Sequence, residues 1–131
     1  MKKPLWQPGA ERIERSNLVG FMQLVNDRFG TDFSEYHQLY DWSVENLEEF
    51  WALMWDYGDI KASEHYQEVL VNAEDMFNSR WFEGARLNFA ENLLRYRDNK
   101  PAIIFAGENQ KTQTITYREL YREVARFSRA L

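Results

Sequence analysis

The chain has 131 residues, no cysteine, and a formal charge of −5 from 21 acidic and 16 basic residues. These values exclude disulfides, thiolate metal sites and a cysteine nucleophile, and they argue against a nucleic-acid surface. With 44% apolar and 16% aromatic residues, the length suits one ordinary domain that packs a core rather than a disordered segment.

No polybasic run is present, and "MKKPLWQPGAERIERSN" has two lysines with no apolar run behind them. Neither a membrane-surface signal nor a signal peptide is expected. The longest apolar stretches are a few residues, far short of the ~20 of a membrane helix. The expectation is a soluble cytoplasmic protein without nucleic-acid or membrane partners.

Pro4, Pro8 and Gly9 mark residues 1–15 as an irregular lead-in, anchored by Leu5 and Trp6. Ser16 is a helix N-cap, followed at helical spacing by Val19, Met22 and Val25 or Asn26, with Gly30 as the stop. A short second helix is expected from Ser34, placing Tyr36, Leu39 and Tyr40 on one side. Ser43 is expected to cap a third, "VENLEEFWALMWDYGD", which ends near Gly58. Val44, Leu47, Trp51 and Met54 form one of its stripes; Phe50, Leu53 and Tyr57 form a second, and Trp55 widens the face. A helix apolar over so much of its circumference is buried on more than one side.

"EHYQEVLV" reads as a strand or a helical turn, and "AEDMFNSRWF" as a turn of helix followed by an extended aromatic segment. Asn88 and Glu91 fit a capping box, so "FAENLLRYRD" is expected to be helical. After Asp98, "AIIFAG" and "TITY" read as a β-hairpin with the loop "ENQKTQ". Thr116 and Glu119 form another capping box, opening a last helix with the stripe Leu120, Val124, Phe127 and Leu131. Because the chain stops on that stripe, it reads as part of a longer protein.

Sites for chemistry are scarce. The six glycines never come closer than ten residues, which leaves no phosphate-cradling loop. His37 and His65 have no partner at metal-ligand spacing, and no G-x-S-x-G elbow is present. Asp56 and Asp59 flank Gly58 without calcium-loop spacing and read as a solvated helix end. Glu45, Glu48 and Glu49 read as an exposed helix edge, with Glu45 near its positive N-terminal end. Trp6, Trp42, Trp51, Trp55 and Trp81 suit packing better than ligand stacking. Arg80 and Arg86 precede the helix at Asn88 as a candidate anion pair, with Glu83 and Glu91 as local neutralising partners. No catalytic, cofactor-binding or metal-binding residue is assigned.

"RWFEGARLNFAENLL" together with "KPAIIFAGE" and "TITYRELYREVARFSRAL" resembles the N-terminal region of acyl-CoA synthetases of the adenylate-forming superfamily. The form of the first stretch, with "PLWQPGAERIERSNLVGFMQLVN", is similar in particular to the acetoacetyl-CoA synthetase family, so the likeness covers nearly the whole chain. It implies a ligase using ATP, magnesium and coenzyme A in its full length. The phosphate loop, acyl pocket and catalytic lysine would lie downstream, so no catalytic residue is carried over and this stretch alone is expected to be inactive.

The implied fold is α+β. Residues 1–97 would be a helical N-terminal region, and residues 98–131 the hairpin and helix that begin a truncated α/β adenylation domain. The implied partner is the rest of the enzyme chain, with self-association through exposed apolar surface. Other short-chain acyl-CoA synthetases, such as acetyl- or propionyl-CoA synthetase, and a free-standing helical interaction module are the alternatives.

Overall fold

The computed structural model describes residues 5–108 and 112–130. Its elements are α1 (Ala10–Glu14), α2 (Asn17–Phe29), α3 (Tyr36–Glu45), α4 (Leu47–Tyr57), β1 (Glu68–Val71), β2 (Arg80–Glu83), α5 (Phe89–Leu93), β3 (Pro101–Phe105), β4 (Gln113–Thr116) and α6 (Tyr117–Ala130). The fold is mixed α+β, with helices first, two small antiparallel hairpins, and a closing helix. The chain divides into two compact units. One holds residues up to 60 together with 66–83, the other residues 61–65 together with those from 84 onward.

The first unit holds four helices, α1 to α4, and the ends of α2 follow from local chemistry. Ser16 Oγ accepts the Val19 N–H at 3.3 Å, satisfying one of the free donors at the start of α2. Gly30 ends α2 at φ 69°, a left-handed conformation that glycine adopts without a Cβ penalty. Asn26 fastens the turn that follows: its Oδ1 accepts from Thr31 Oγ1 at 2.8 Å and Phe33 N at 2.9 Å, and its Nδ2 donates to Phe33 O at 2.9 Å.

Three boundaries and one pair of anchors in this stretch differ from the sequence expectation. Residues 10–14 form α1, a helical turn inside the expected irregular lead-in. Leu5 and Trp6 are not anchors: Leu5 is fully exposed and Trp6 mostly so, with Arg12 lying 5.6 Å over the Trp6 ring. Ser43 does not cap α4. It lies inside α3, where its Oγ donates to the Tyr40 carbonyl at 2.7 Å, so its hydroxyl is satisfied without ending the helix. The break falls at Asn46, with φ −125° and ψ 61°, whose Nδ2 competes for the Trp42 carbonyl at 3.0 Å. The second helix starts at Tyr36 rather than Ser34, under a capping box of Glu35 and Gln38.

The core of this unit is Phe21, Met22, Val25, Leu39 and Leu53, with Val25 fully buried. Leu24, Phe33, Trp42, Phe50 and Met54 pack against it. Leu53 and Trp55 of α4 are both buried, but of the expected stripe Val44, Leu47, Trp51 and Met54 only Met54 packs on the core. Val44 falls in α3, and Val44, Leu47 and Trp51 are exposed. β1 and β2 pair antiparallel with Leu70 opposite Trp81, which resolves "EVLV" as a strand. A two-stranded ribbon needs apolar cover, and Trp55 supplies it: its ring lies 5.2 Å from Tyr66 and 4.8 Å from Phe82. The expected helical turn at "AEDMF" is instead a pair of tight turns, Asp75 N–H to Asn72 O and Asn78 N–H to Asp75 O, both 3.0 Å.

In the second unit, Asn88 caps α5 as expected, its Oδ1 accepting from Ala90 N at 2.9 Å and Glu91 N at 3.2 Å. The helix then ends at Leu93 rather than running to Asp98. Tertiary contacts compete for the segment beyond it. Leu94 is buried, the Arg97 guanidinium lies 4.0 Å over the Tyr121 ring, and the Asp98 carbonyl accepts the Arg118 N–H at 3.0 Å. β3 and β4 form the expected hairpin, with a register irregularity between Pro101 and Ile103. The loop expectation "ENQKTQ" falls partly on residues 109–111, outside the described residues. Thr116 and Glu119 close the expected capping box: Thr116 N donates to Glu119 Oε2 at 2.8 Å, and Glu119 N donates to Thr116 Oγ1 at 3.3 Å. Along α6, Leu120 is half-buried while Val124 and Phe127 are exposed; Leu131 lies outside the described residues.

Candidate functional site

The aromatic stretch Ser79–Tyr96 offers the first place to look for chemistry, and its arginines are occupied. Arg80 Nε lies 2.8 Å from Glu83 Oε2, as the sequence suggested. Arg86 pairs with Glu64 at 3.4 Å rather than with Glu91, because Glu64 and Arg86 face each other across an isolated antiparallel bridge. All four side chains are largely exposed, so each pair contributes little. The two arginines belong to different units. Gly84, at φ 83°, makes the turn between β2 and the segment leading to α5. Phe82 reaches φ 52°, uncommon for a bulky residue, and its ring is held between Trp55 and Tyr66.

The other titratable candidates are dispersed. His37 is exposed and stands 5.7 Å from the Tyr36 ring, and His65 is also exposed. Glu48 and Glu49 sit in the first turn of α4, where the helix dipole favours them, but Glu45 closes α3 instead of opening α4. Asp59 takes φ 49° just after Gly58. Among the described residues, no three His, Cys, Asp or Glu side chains come together as metal ligands. With the glycine spacing, that donor set among the described residues does not fit magnesium–ATP.

Tyr66, Asp75 and Glu119 have shifted proton affinity, each from local structure. Burial, then the negative charge of Asp56, raises the Tyr66 phenol above its ordinary value. The Asn78 side-chain amide holds the Asp75 carboxyl below the usual range, as does the Phe77 N–H. The Thr116 N–H and hydroxyl do the same for Glu119. The two carboxylates maintain a turn and a helix cap, so these shifts report architecture rather than catalysis.

What the surface does offer is apolar area. A groove of about 490 Å³ in the first unit is walled by Leu18, Phe21, Tyr36, Leu39, Tyr40 and Phe50 among others. Trp51, Trp81 and Phe82 line a smaller cleft of about 250 Å³, and the Trp51 and Trp81 rings meet edge-on at 5.6 Å. In the second unit, a groove of about 350 Å³ runs between α5, β3 and α6, lined by Leu93, Leu94, Ala102, Tyr117, Leu120 and Val124. Of the five tryptophans, only Trp55 is buried; Trp6, Trp51 and Trp81 are substantially exposed. Apolar surfaces of this kind mark sites of contact with protein, membrane or ligand.

Residues 36–93 match the family described as acetyl-coenzyme A synthetase N-terminus. More particularly, the chain matches the N-terminal region of acetoacetyl-CoA synthetases. It is 38% identical over 130 residues to the acetoacetyl-coenzyme A synthetase of Rhizobium meliloti (strain 1021), covering 99% of this chain and 20% of that protein. The solved acetoacetyl-CoA synthetase from Streptomyces lividans superposes with a TM-score of 0.84 at 34% identity, over 95% of this chain and 20% of that one. A malonamoyl-CoA synthetase, vrtB, of Penicillium aethiopicum is 36% identical over 129 residues, covering 93% of this chain and 18% of that protein. The chain spans about a fifth of the length of the relatives it matches, in which this region is part of a larger synthetase chain.

Proposed function

We propose that residues 1–131 form the non-catalytic N-terminal part of an acid–thiol ligase that joins acetoacetate to coenzyme A. ATP would first convert acetoacetate to its adenylate with release of pyrophosphate. Coenzyme A would then take the acyl group, releasing AMP. In this reading residues 1–97 are the helical N-terminal region, residues 98–131 begin the adenylation domain, and the enzyme works in the cytoplasm. ATP, magnesium and coenzyme A bind downstream of this region. The observation that carries the reading is the match along nearly the whole chain to acetoacetyl-CoA synthetases at 38% identity.

The resemblance to a malonamoyl-CoA synthetase favours a second reading, a ligase for another short acid. The acyl pocket, which separates the two, would lie outside these residues. ATP–pyrophosphate exchange tests both readings. The 131-residue chain alone should show no exchange with acetoacetate. The longer chain that carries it should exchange, and should prefer acetoacetate over acetate, propionate and malonamate. No exchange with any of these acids would overturn the ligase reading. Preference for another of them would move the assignment to that acid.

A further inference from the structure

The loop joining β1 to β2 carries an apolar pair that the core does not use. Met76 is 86% exposed and Phe77 96% exposed, at the tip of a short hairpin. The loop is nevertheless held in one shape. Asp75 Oδ1 accepts the Phe77 N–H at 3.1 Å, Asp75 Oδ2 accepts from Asn78 Nδ2 at 2.6 Å, and Ser79 Oγ donates to the Met76 carbonyl at 3.2 Å. Asn72 Nδ2 reaches across the loop to the Asn78 carbonyl at 3.4 Å. A loop already ordered in this way loses little conformational entropy when its tip is buried.

Charge narrows the choice of partner. Residues 66–83 carry four acidic side chains, Glu68, Glu74, Asp75 and Glu83, against one base, Arg80, and Arg80 is already paired with Glu83. An anionic lipid surface would repel such a tip. The matching surface is an apolar socket rimmed by lysine or arginine. In the relatives this region is followed by about four fifths of a synthetase chain, which is where such a socket would lie.

We propose that Met76 and Phe77 form a preorganised prong that docks into a basic-rimmed apolar socket on the larger body of the same synthetase chain. The proposal rests on the ligase reading above, and its test separates the two. In the synthetase chain that carries residues 1–131 at its head, Phe77 is replaced by photoreactive p-benzoylphenylalanine and irradiated with anionic vesicles present. A crosslink within the chain to a peptide beyond residue 131 is expected. A crosslink to lipid, to a second subunit or to another protein, or no crosslink, overturns the proposal.

The double substitution Met76→Ser, Phe77→Ser supplies a second measurement. It should leave the melting temperature of the 131-residue chain unchanged, because both side chains already face solvent, and lower that of the longer chain. An equal response in the two chains overturns the docking. If the double variant of the longer chain does not fold, Phe77→Ser alone takes its place. ATP–pyrophosphate exchange by the unsubstituted longer chain reports the functional reading independently: exchange without the crosslink sinks the prong alone, and the crosslink without exchange sinks the ligase reading alone.

Discussion

Asn92 clasps the backbone of Lys61 at two points: its Oδ1 accepts the Lys61 N–H at 2.8 Å, and its Nδ2 donates to the Lys61 carbonyl at 2.8 Å. The same Nδ2 also reaches the Asn88 carbonyl at 3.0 Å. Residues 61–65 are thereby tied to the segment around α5, thirty-one positions away in sequence. A net hydrogen bond is worth about 1 kcal/mol. Asn92→Ala should therefore cost roughly 1–2 kcal/mol by urea denaturation. Asn92→Asp keeps the acceptor and loses the donor, so it should cost less than the alanine change. Equal stability of all three proteins would show that the clasp contributes nothing.

The helix caps give a second, smaller effect. Ser16→Ala removes the oxygen that accepts the Val19 N–H and should destabilise the chain by about 1 kcal/mol, whereas Ser16→Gly should cost only a few tenths. Thermal unfolding of the two variants separates loss of the cap from any effect of side-chain volume.

Gly30 tests backbone conformation without steric interference, since no atom lies within 4 Å of where a Cβ would stand. At φ 69°, Gly30→Ala should cost about 1 kcal/mol from the left-handed conformation alone. Gly30→Asn should recover part of that loss, because asparagine tolerates this region better. A neutral alanine variant would contradict the assigned backbone angle.

Glu119 links stability to acid. Its folded carboxyl binds a proton less readily than the unfolded one, because the Thr116 N–H and hydroxyl favour the charged form. The unfolded state therefore takes up protons first as pH falls. The contribution is complete above the ordinary carboxylate range and is lost as pH drops through the lowered folded value. Stability measured against Glu119→Gln should show an advantage at neutral pH that shrinks toward pH 3, and a pH-independent difference would refute the assignment.

Exposed apolar surface makes the fifth expectation. Phe89, Ile104 and Phe127 are 74%, 65% and 69% exposed. The 131-residue chain should bind a hydrophobic dye while retaining its folded circular dichroism, and should associate at raised concentration. A strictly monomeric chain that leaves the dye dark would show that these side chains are covered in solution.

Much of this architecture was legible from residue order alone, because its causes are local. Ser16, Gly30, Asn88 and the Thr116–Glu119 pair act within a few positions of the helix ends they set. The β3–β4 hairpin likewise follows from two short apolar runs around a polar loop. The family likeness was equally legible, carried by the aromatic stretch around Gly84. Where the reading failed, a longer-range or competing interaction had decided the outcome. Ser43 satisfied its hydroxyl inside a helix, and α5 stopped where Leu94, Arg97 and Asp98 turned to α6.

By itself, then, the sequence determined the starts of α2, α5 and α6, the α+β class and the likeness to acetoacetyl-CoA synthetases. Only the tertiary structure decided which aromatic residues are core and which are surface. Trp55 and Trp51 lie on the same broad apolar face of α4, yet Trp55 is 8% exposed and Trp51 39%. Periodicity places a side chain on a face of its helix. Whether that face is buried depends on what the rest of the chain brings against it, and here Tyr66 and Phe82 are brought to Trp55.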